Sequence, residues 1–340
     1  MNISDANLEL TQTLIALVLL GLSLISLPLA YVRAWTCFQP KERRAWLGAV
    51  FVGAATRLVL APPLLAMIFI GYKQTEYALT LLPLSHYGVS ASAFYHALFG
   101  FIETPDHQSM MAINQWVGVL TLPLIGAWVA RLLNQGKAGV IATCLVALTP
   151  LFVRNDGSEA NIVPTLWWLM GAMVLIDAWA RESRLSDLVA AIPLLALAMS
   201  ARPEMPLIVG LLLVTASFVS PWPRSHRRPT PVLVSALLVL LALCTPHIHH
   251  VLNAMDTLSG RSSLPGLSME EFWRLPRIVL WEKNIIVRPD LFPLGLTLAA
   301  ALSTLIVPAF RLKSLILALA AMLALGLYVV DLDEANIARV

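Results

Sequence analysis

Apolar stretches follow one another along this chain, separated by short polar gaps. A segment needs about 20 apolar residues to cross roughly 30 Å of hydrocarbon, because every backbone amide must find its partner inside the segment. On that criterion ten membrane helices are expected, at 10–33, 46–69, 114–133, 138–153, 160–180, 187–201, 203–220, 230–249, 291–310 and 312–330. Two of these, 138–153 and 187–201, are short for lipid-facing spans and suit helices that end in a protein-lined or water-filled cavity.

The charges in the gaps set an orientation. Thirteen of the 23 Lys and Arg residues lie in five gaps, Arg33 to Arg44, Arg131 to Lys137, Arg181 to Arg184, Arg224 to Arg228 and Arg311 to Lys313. These alternate with gaps that hold nearly all the acids, since only Glu42, Asp177, Glu182 and Asp187 of the 20 fall on the basic side. Lys and Arg concentrate in cytoplasmic loops, so the basic gaps read as cytoplasmic and both termini as extracytoplasmic. The two long non-spanning segments, 70–113 and 250–290, then face outward as well. Cytoplasmic turns are only long enough to reverse a helix, which puts polar chemistry on the outer face.

Within the first long segment, residues 75–82 and 90–102 mix apolar and polar positions at helical spacing, and short helices lying in the membrane interface are expected there. In the second, Ser268-Met-Glu-Glu271 forms a capping-box pattern before Phe272 and Trp273, and Pro276 limits the helix that follows. Trp116, Trp167, Trp168, Trp273 and Trp281 fit interface anchors, and the last two also suit stacking on a sugar.

Composition confirms the class. The 340 residues are 58% hydrophobic and 13% charged, and the net charge of +3 conceals the alternation just described. The three cysteines, Cys37, Cys144 and Cys244, are odd in number and lack CxxC spacing, so neither a disulfide framework nor a thiolate metal site is implied. His247, His249 and His250, with His86 and His96, do not have the i,i+4 spacing of a two-ligand helical face, and no metal site or cofactor is expected. Asp5 and Glu9 precede Leu14 where a signal peptide would carry basic residues, so the first apolar stretch is read as a retained helix. The basic stretch Pro221 to Arg228 is explained by topology, and nucleic acid is not an expected partner.

Several residues stand out against this background. Arg57 lies near the middle of its expected span, where insertion scales put Arg at roughly 3 kcal/mol, so it must face the bundle interior and find a partner. Asp177 is the nearest acid on the cytoplasmic side, at a poorly matched depth. Glu76 stands beside Tyr77 and three residues after Lys73, the spacing of a local ion pair. His86-Tyr87-Gly88 follows, then the outer turn with Arg154, Asp156 and Glu159, then Leu-Ala-Met-Ser-Ala-Arg202-Pro203-Glu204.

This succession resembles the GT-C superfamily of polytopic membrane glycosyltransferases, most closely the bacterial relatives of protein mannosyltransferases and aminoarabinose transferases. The likeness runs from about residue 46 to 220, with an echo at Pro289 to Pro293. It implies an all-α polytopic membrane protein, a single transmembrane domain over 1–340 in a bacterial inner membrane. It also implies transfer of a sugar from a polyprenyl-phosphate donor to an acceptor at the extracytoplasmic face. The family places a catalytic Asp early in the first outer loop, but no Asp occurs between residues 70 and 100, and Glu76 is the carboxylate in the comparable place.

A carboxylate there would act as general base on an acceptor hydroxyl. The donor's phosphate needs cations and its sugar needs acceptors, for which guanidinium forks and carboxylates are suited. Candidate binding residues are therefore Arg57, Lys73, His86, Tyr87, Arg154, Glu159, Arg202 and Glu204. Bland alternatives stand beside these: a hydrated loop carboxylate for Glu76, a structural ion pair for Arg57, and capping of a helical hairpin around Pro203 for Arg202 and Glu204. At the level of function the rival is a non-catalytic protein of the same architecture, serving envelope assembly or lipid-carrier binding. A transporter ranks third, because no matched pair of broken helices is present. Asp331 to Val340 reads as the start of a connection into a further span, which fits either a shortened chain or a short relative of the family.

The threading is testable by labelling. Thiols introduced at Asn134 and Ser225 should resist an impermeant reagent in intact cells while one at Ser262 reacts, and the reverse pattern would sink this topology.

Overall fold

One helix, α7 (Ile162–Glu182), is buried on nearly every side, and the bundle is assembled around it. The computed structural model describes residues 3–61, 75–81, 89–158, 161–202, 205–220 and 231–259. Among these all regular structure is helical: α1 (Ile3–Trp35), α2 (Pro40–Ala55) running into a π-helical turn (Thr56–Leu60), α3 (Val89–Phe99), α4 (His107–Leu133), α5 (Gly136–Leu148), α6 (Pro150–Asp156), α7, α8 (Leu185–Met199), α9 (Met205–Val219) and α10 (Pro231–Ser259). A further helical turn covers 75–80. Leu10–Trp35, His107–Leu133, Ile162–Glu182 and Pro231–His250 are long and apolar enough to cross a membrane, and α5, α8 and α9 are shorter apolar helices. Ten spans are therefore not established, and the expected ones at 291–310 and 312–330 lie outside the described residues, as does the loop at 260–290.

Around α7 pack α8, α4 and α1, while α4 continues through α5 to α2. The α4–α5 contact is close because it is made by glycines. A Cβ on Gly126 would meet Thr143 Oγ1 and the Gly139 carbonyl, and one on Gly139 would meet the Gly126 carbonyl and Ala130. Small residues let two backbones approach where hydrophobic driving force between helices is weak. Asn134 ends α4 with φ of 55°, the left-handed conformation that Asn tolerates, and the chain reverses at once into α5.

The alternation of charge in the sequence becomes a layer in space. Arg33 of α1 pairs with Asp187 at 2.9 Å and Glu182 at 3.2 Å. Arg181 pairs with Asp177 at 2.7 Å and donates to the Arg131 carbonyl and to Asn134. Arg131 reaches the Arg33 carbonyl, and Ser220 donates to Asp177 at 2.8 Å. Three of the basic gaps, with Ser220 just past the end of α9, thus meet at one end of the bundle. Asp177 belongs to this layer and is not the partner of Arg57.

The segment expected to lie in the interface departs most from expectation. In α3, Val89 to Tyr95 and Phe99 are all buried, and Phe94 packs edge-on against Trp168 with ring centroids 5.6 Å apart. Trp168 is itself 0% exposed, a core residue and not an anchor. The physical reason is composition: Val-Ser-Ala-Ser-Ala presents a small, slim surface that fits against α1, and its few hydroxyls cost little to bury once bonded.

Candidate functional site

Opposite the basic layer, Arg57 is held in a cage of acceptors. It sits in the π-helical turn that ends the α2 run, near the end of that run away from the basic layer; residues 62–69 of the expected span 46–69 lie outside the described residues. Seventeen residues from Pro40 at 1.5 Å each put it about 25 Å from the basic end. The guanidinium is 1% exposed. Its Nε donates to Asp156 Oδ2 at 2.6 Å, Nη1 to the Ala147 and Gly53 carbonyls at 3.1 and 3.3 Å, and Nη2 to the Val146 carbonyl at 3.1 Å. Such a buried charge is tolerable only with near-complete satisfaction of its donors.

The sequence builds this cage locally. α5 stops at Leu148, and Thr149 turns extended before Pro150 starts α6, so that the expected single span 138–153 is two helices with a break. The break leaves the Val146 and Ala147 carbonyls, in the last turn of α5, available to Arg57. Asp156 is then carried to the guanidinium by α6. Opposite it stands Gly118 of α4, where any Cβ would collide with the Asp156 carboxyl group. A π-helical turn is rare and recurs at functional sites. Here its end is tied down by Gln115, whose Nε2 donates to the Arg57 and Ala61 carbonyls at 2.9 and 3.3 Å.

A second polar chain fixes the turn after Asp156. Tyr95 of α3 donates to Asn114 Oδ1 at 2.6 Å, Asn114 Nδ2 donates to the Ser158 carbonyl at 2.7 Å, and Ser158 Oγ donates to the Asn155 carbonyl at 2.7 Å. Asn114 is wholly buried in a membrane-length helix. Asn114 and Gln115 were absent from the sequence-derived candidates, although adjacent amides inside an apolar stretch are themselves a signal, because a polar side chain there needs a partner.

The remaining candidates distribute around this core. Arg154 is exposed on α6, one turn before the fixed loop. Glu76 is exposed on the turn 75–80, which is tied to the same end of the bundle by Thr75 Oγ1 to Met110 Sδ and by the Ala78 carbonyl to His96 Nδ1 at 2.9 Å. Arg202 is half-buried just past the end of α8, the end away from the basic layer, and His247 of α10 faces its backbone. Lys73, His86, Tyr87, Glu159 and Glu204 lie outside the described residues. So the structure brings Arg57 together with the Arg154–Asp156 turn and sets Glu76 and Arg202 at the same end. Among the described residues no three His, Cys, Asp or Glu side chains converge as a metal site.

Arg57→Gln should destabilise the protein by about 3–5 kcal/mol, since it strands a buried carboxylate. The double variant Arg57→Met, Asp156→Leu should unfold later than either single one in a detergent thermal melt. A double variant less stable than Arg57→Gln would show that the pair is not a coupled unit.

Residues 91–250 match the family model described as dolichyl-phosphate-mannose-protein mannosyltransferase. The match covers a little under half of the chain and runs from within α3 to most of α10, with Asn114, Arg154, Asp156 and Arg202; it begins beyond Arg57 and Glu76. No curated protein and no solved structure matches the chain. The matched family belongs to the GT-C superfamily of membrane glycosyltransferases, and residues 91–250 are similar to it, as the sequence from about residue 46 to 220 resembles that superfamily.

Proposed function

We propose that the protein transfers a sugar from a polyprenyl-phosphate donor to an acceptor at the extracytoplasmic face of a bacterial inner membrane. The observation that carries this reading is the family match over the two turns bearing Arg154 and Arg202, which lie at the end of the bundle away from the basic layer. In the proposed reaction an acceptor oxygen attacks the anomeric carbon. The bond from that carbon to the phosphate oxygen breaks, polyprenyl phosphate departs, and Glu76 takes the acceptor's proton.

Arg202 and Arg154 would hold the donor phosphate through their planar forks, with Glu159 and Glu204 next to them in sequence to accept from sugar hydroxyls. Lys73, His86 and Tyr87 belong to the same outer loop as Glu76 and complete the proposed substrate contacts. Arg57 would serve this site indirectly, by keeping Asp156 and hence the Arg154 turn in place. The rival non-catalytic reading draws on the lack of Asp between residues 70 and 100.

Transfer from labelled polyprenyl-phosphate sugars in proteoliposomes separates the two readings. Glu76→Gln keeps the shape and hydrogen-bonding capacity of the side chain but removes the proton acceptor. Turnover should fall by about 10²–10⁴ with donor binding retained. Wild-type turnover in that variant would exclude Glu76 as base, and no transfer by the wild type with any polyprenyl-linked sugar would favour the carrier reading.

Arg202→Lys should weaken donor binding more than folding, because Lys keeps the charge and loses the fork. Unchanged donor affinity in a well-folded variant would remove Arg202 from the site.

A further inference from the structure

A cavity of about 530 Å³ opens in the basic layer, at the end of the bundle away from the proposed site. Its volume is that of a small-molecule site. The ends of α1, α4 and α7 and the starts of α2 and α5 surround it, and Arg131, Lys137, Arg181, Glu42 and Glu182 are in its wall.

The charges of this layer do not cancel. Among the described residues the three basic gaps there hold eight Lys and Arg against the four acids Glu42, Asp177, Glu182 and Asp187. Those acids are already engaged. Asp187 and Glu182 take Arg33, Glu182 also takes Arg184, Asp177 takes Arg181 and Ser220, and Glu42 accepts the Gln39 amide in the capping box of α2.

What remains on the wall is positive. Arg131, 8% exposed, lies 3.8 Å from Asp177 through Nη1 and donates from Nη2 to the Arg33 carbonyl, while its buried Nε has no hydrogen-bond partner. Lys137 is exposed and makes no ion pair among the described residues. The N-terminus of the 13-residue α5 also opens here, and its N-cap Gln135 supplies no side-chain cap to the first amides. Free amides and the positive end of a helix favour anions. A carboxylate already occupies part of that position, since Glu42 lies against Gly136. The other reactive group in the wall is inert: burial holds the Cys37 thiol above its ordinary range despite Arg131 nearby, so a thiolate site is not what the cavity offers.

We propose that this cavity binds an anionic phosphate group, carried either by a phospholipid headgroup of the leaflet that meets the basic layer or by a soluble phosphate compound. Basic pockets between membrane helices are suited to anionic headgroups. The site is independent of sugar transfer.

The test uses the full chain, delipidated in a non-ionic detergent, with lipid binding followed by native mass spectrometry. Short-chain phosphatidylglycerol, short-chain phosphatidylcholine and inorganic phosphate are titrated separately. Phosphatidylglycerol should bind more tightly than phosphatidylcholine. Lys137→Gln should weaken it about fivefold, the effect of one basic residue near a charged membrane surface. Arg131→Gln should weaken it further if the variant folds. Lys41→Gln removes an exposed cation of the same layer that is not in the cavity wall, and it should leave the affinity unchanged. Competition by inorganic phosphate at similar concentration would assign the site to a soluble phosphate. Equal binding of the two lipids, no binding by any of the three probes, or equal losses from Lys41→Gln and Lys137→Gln would overturn the proposal.

Discussion

The bond from Arg57 Nε to Asp156, at 2.6 Å, is the contact on which the half of the bundle away from the basic layer depends. A guanidinium that is 1% exposed cannot be left with open donors, so its position dictates where other elements must go. It requires α5 to stop at Leu148 with carbonyls presented toward it. It also requires a residue without Cβ at position 118, because the Asp156 carboxyl group occupies that space. The α2 run responds by widening into a π-helical turn at this point. Each of these local irregularities would be a defect in an isolated helix, and together they satisfy one charge.

At the other end the same constraint is met differently. Arg33, Arg131 and Arg181 share Asp177, Glu182, Asp187 and the carbonyls of the turns, so that the cations of the basic gaps fasten the helix ends together. The two ends have different characters as a result. The basic layer is rich in cations beyond those its acids neutralise, whereas at the opposite end the buried cation is engaged through all three of its nitrogens and the more accessible ones, exposed Arg154 and half-buried Arg202, sit on turns. That separation would set the proposed phosphate-binding reaction on one face and the proposed anion site on the other.

Hydropathy made most of the fold legible. The expected spans 10–33, 160–180 and 187–201 fall within a few residues of α1, α7 and α8, because a 20-residue apolar run has few alternatives in lipid. Charge alternation anticipated the basic layer for the same reason. What escaped the sequence was pairing. The poor depth match argued against Asp177 as the partner of Arg57, but nothing in the periodicity pointed to Asp156, which reaches the guanidinium only because the chain breaks at Thr149 and restarts as α6. Burial of α3 was also hidden, because a short run of Ala and Ser is equally compatible with an interface and with a tight helix contact. Thr149-Pro150 carried a legible break signal that splits 138–153 in two, and adjacent amides at 114 and 115 carried another.

The claim that donor chemistry lies at the end away from the basic layer is tested most directly by photo-crosslinking. A polyprenyl-phosphate sugar analogue bearing the photoreactive group beside its phosphate would be bound to the full chain, irradiated, and its attachment sites mapped by mass spectrometry. The account predicts attachment within residues 75–81, 154–158 and 200–202, competed away by unlabelled donor. Attachment confined to the basic layer, within residues 36–42 and 131–137, would contradict it.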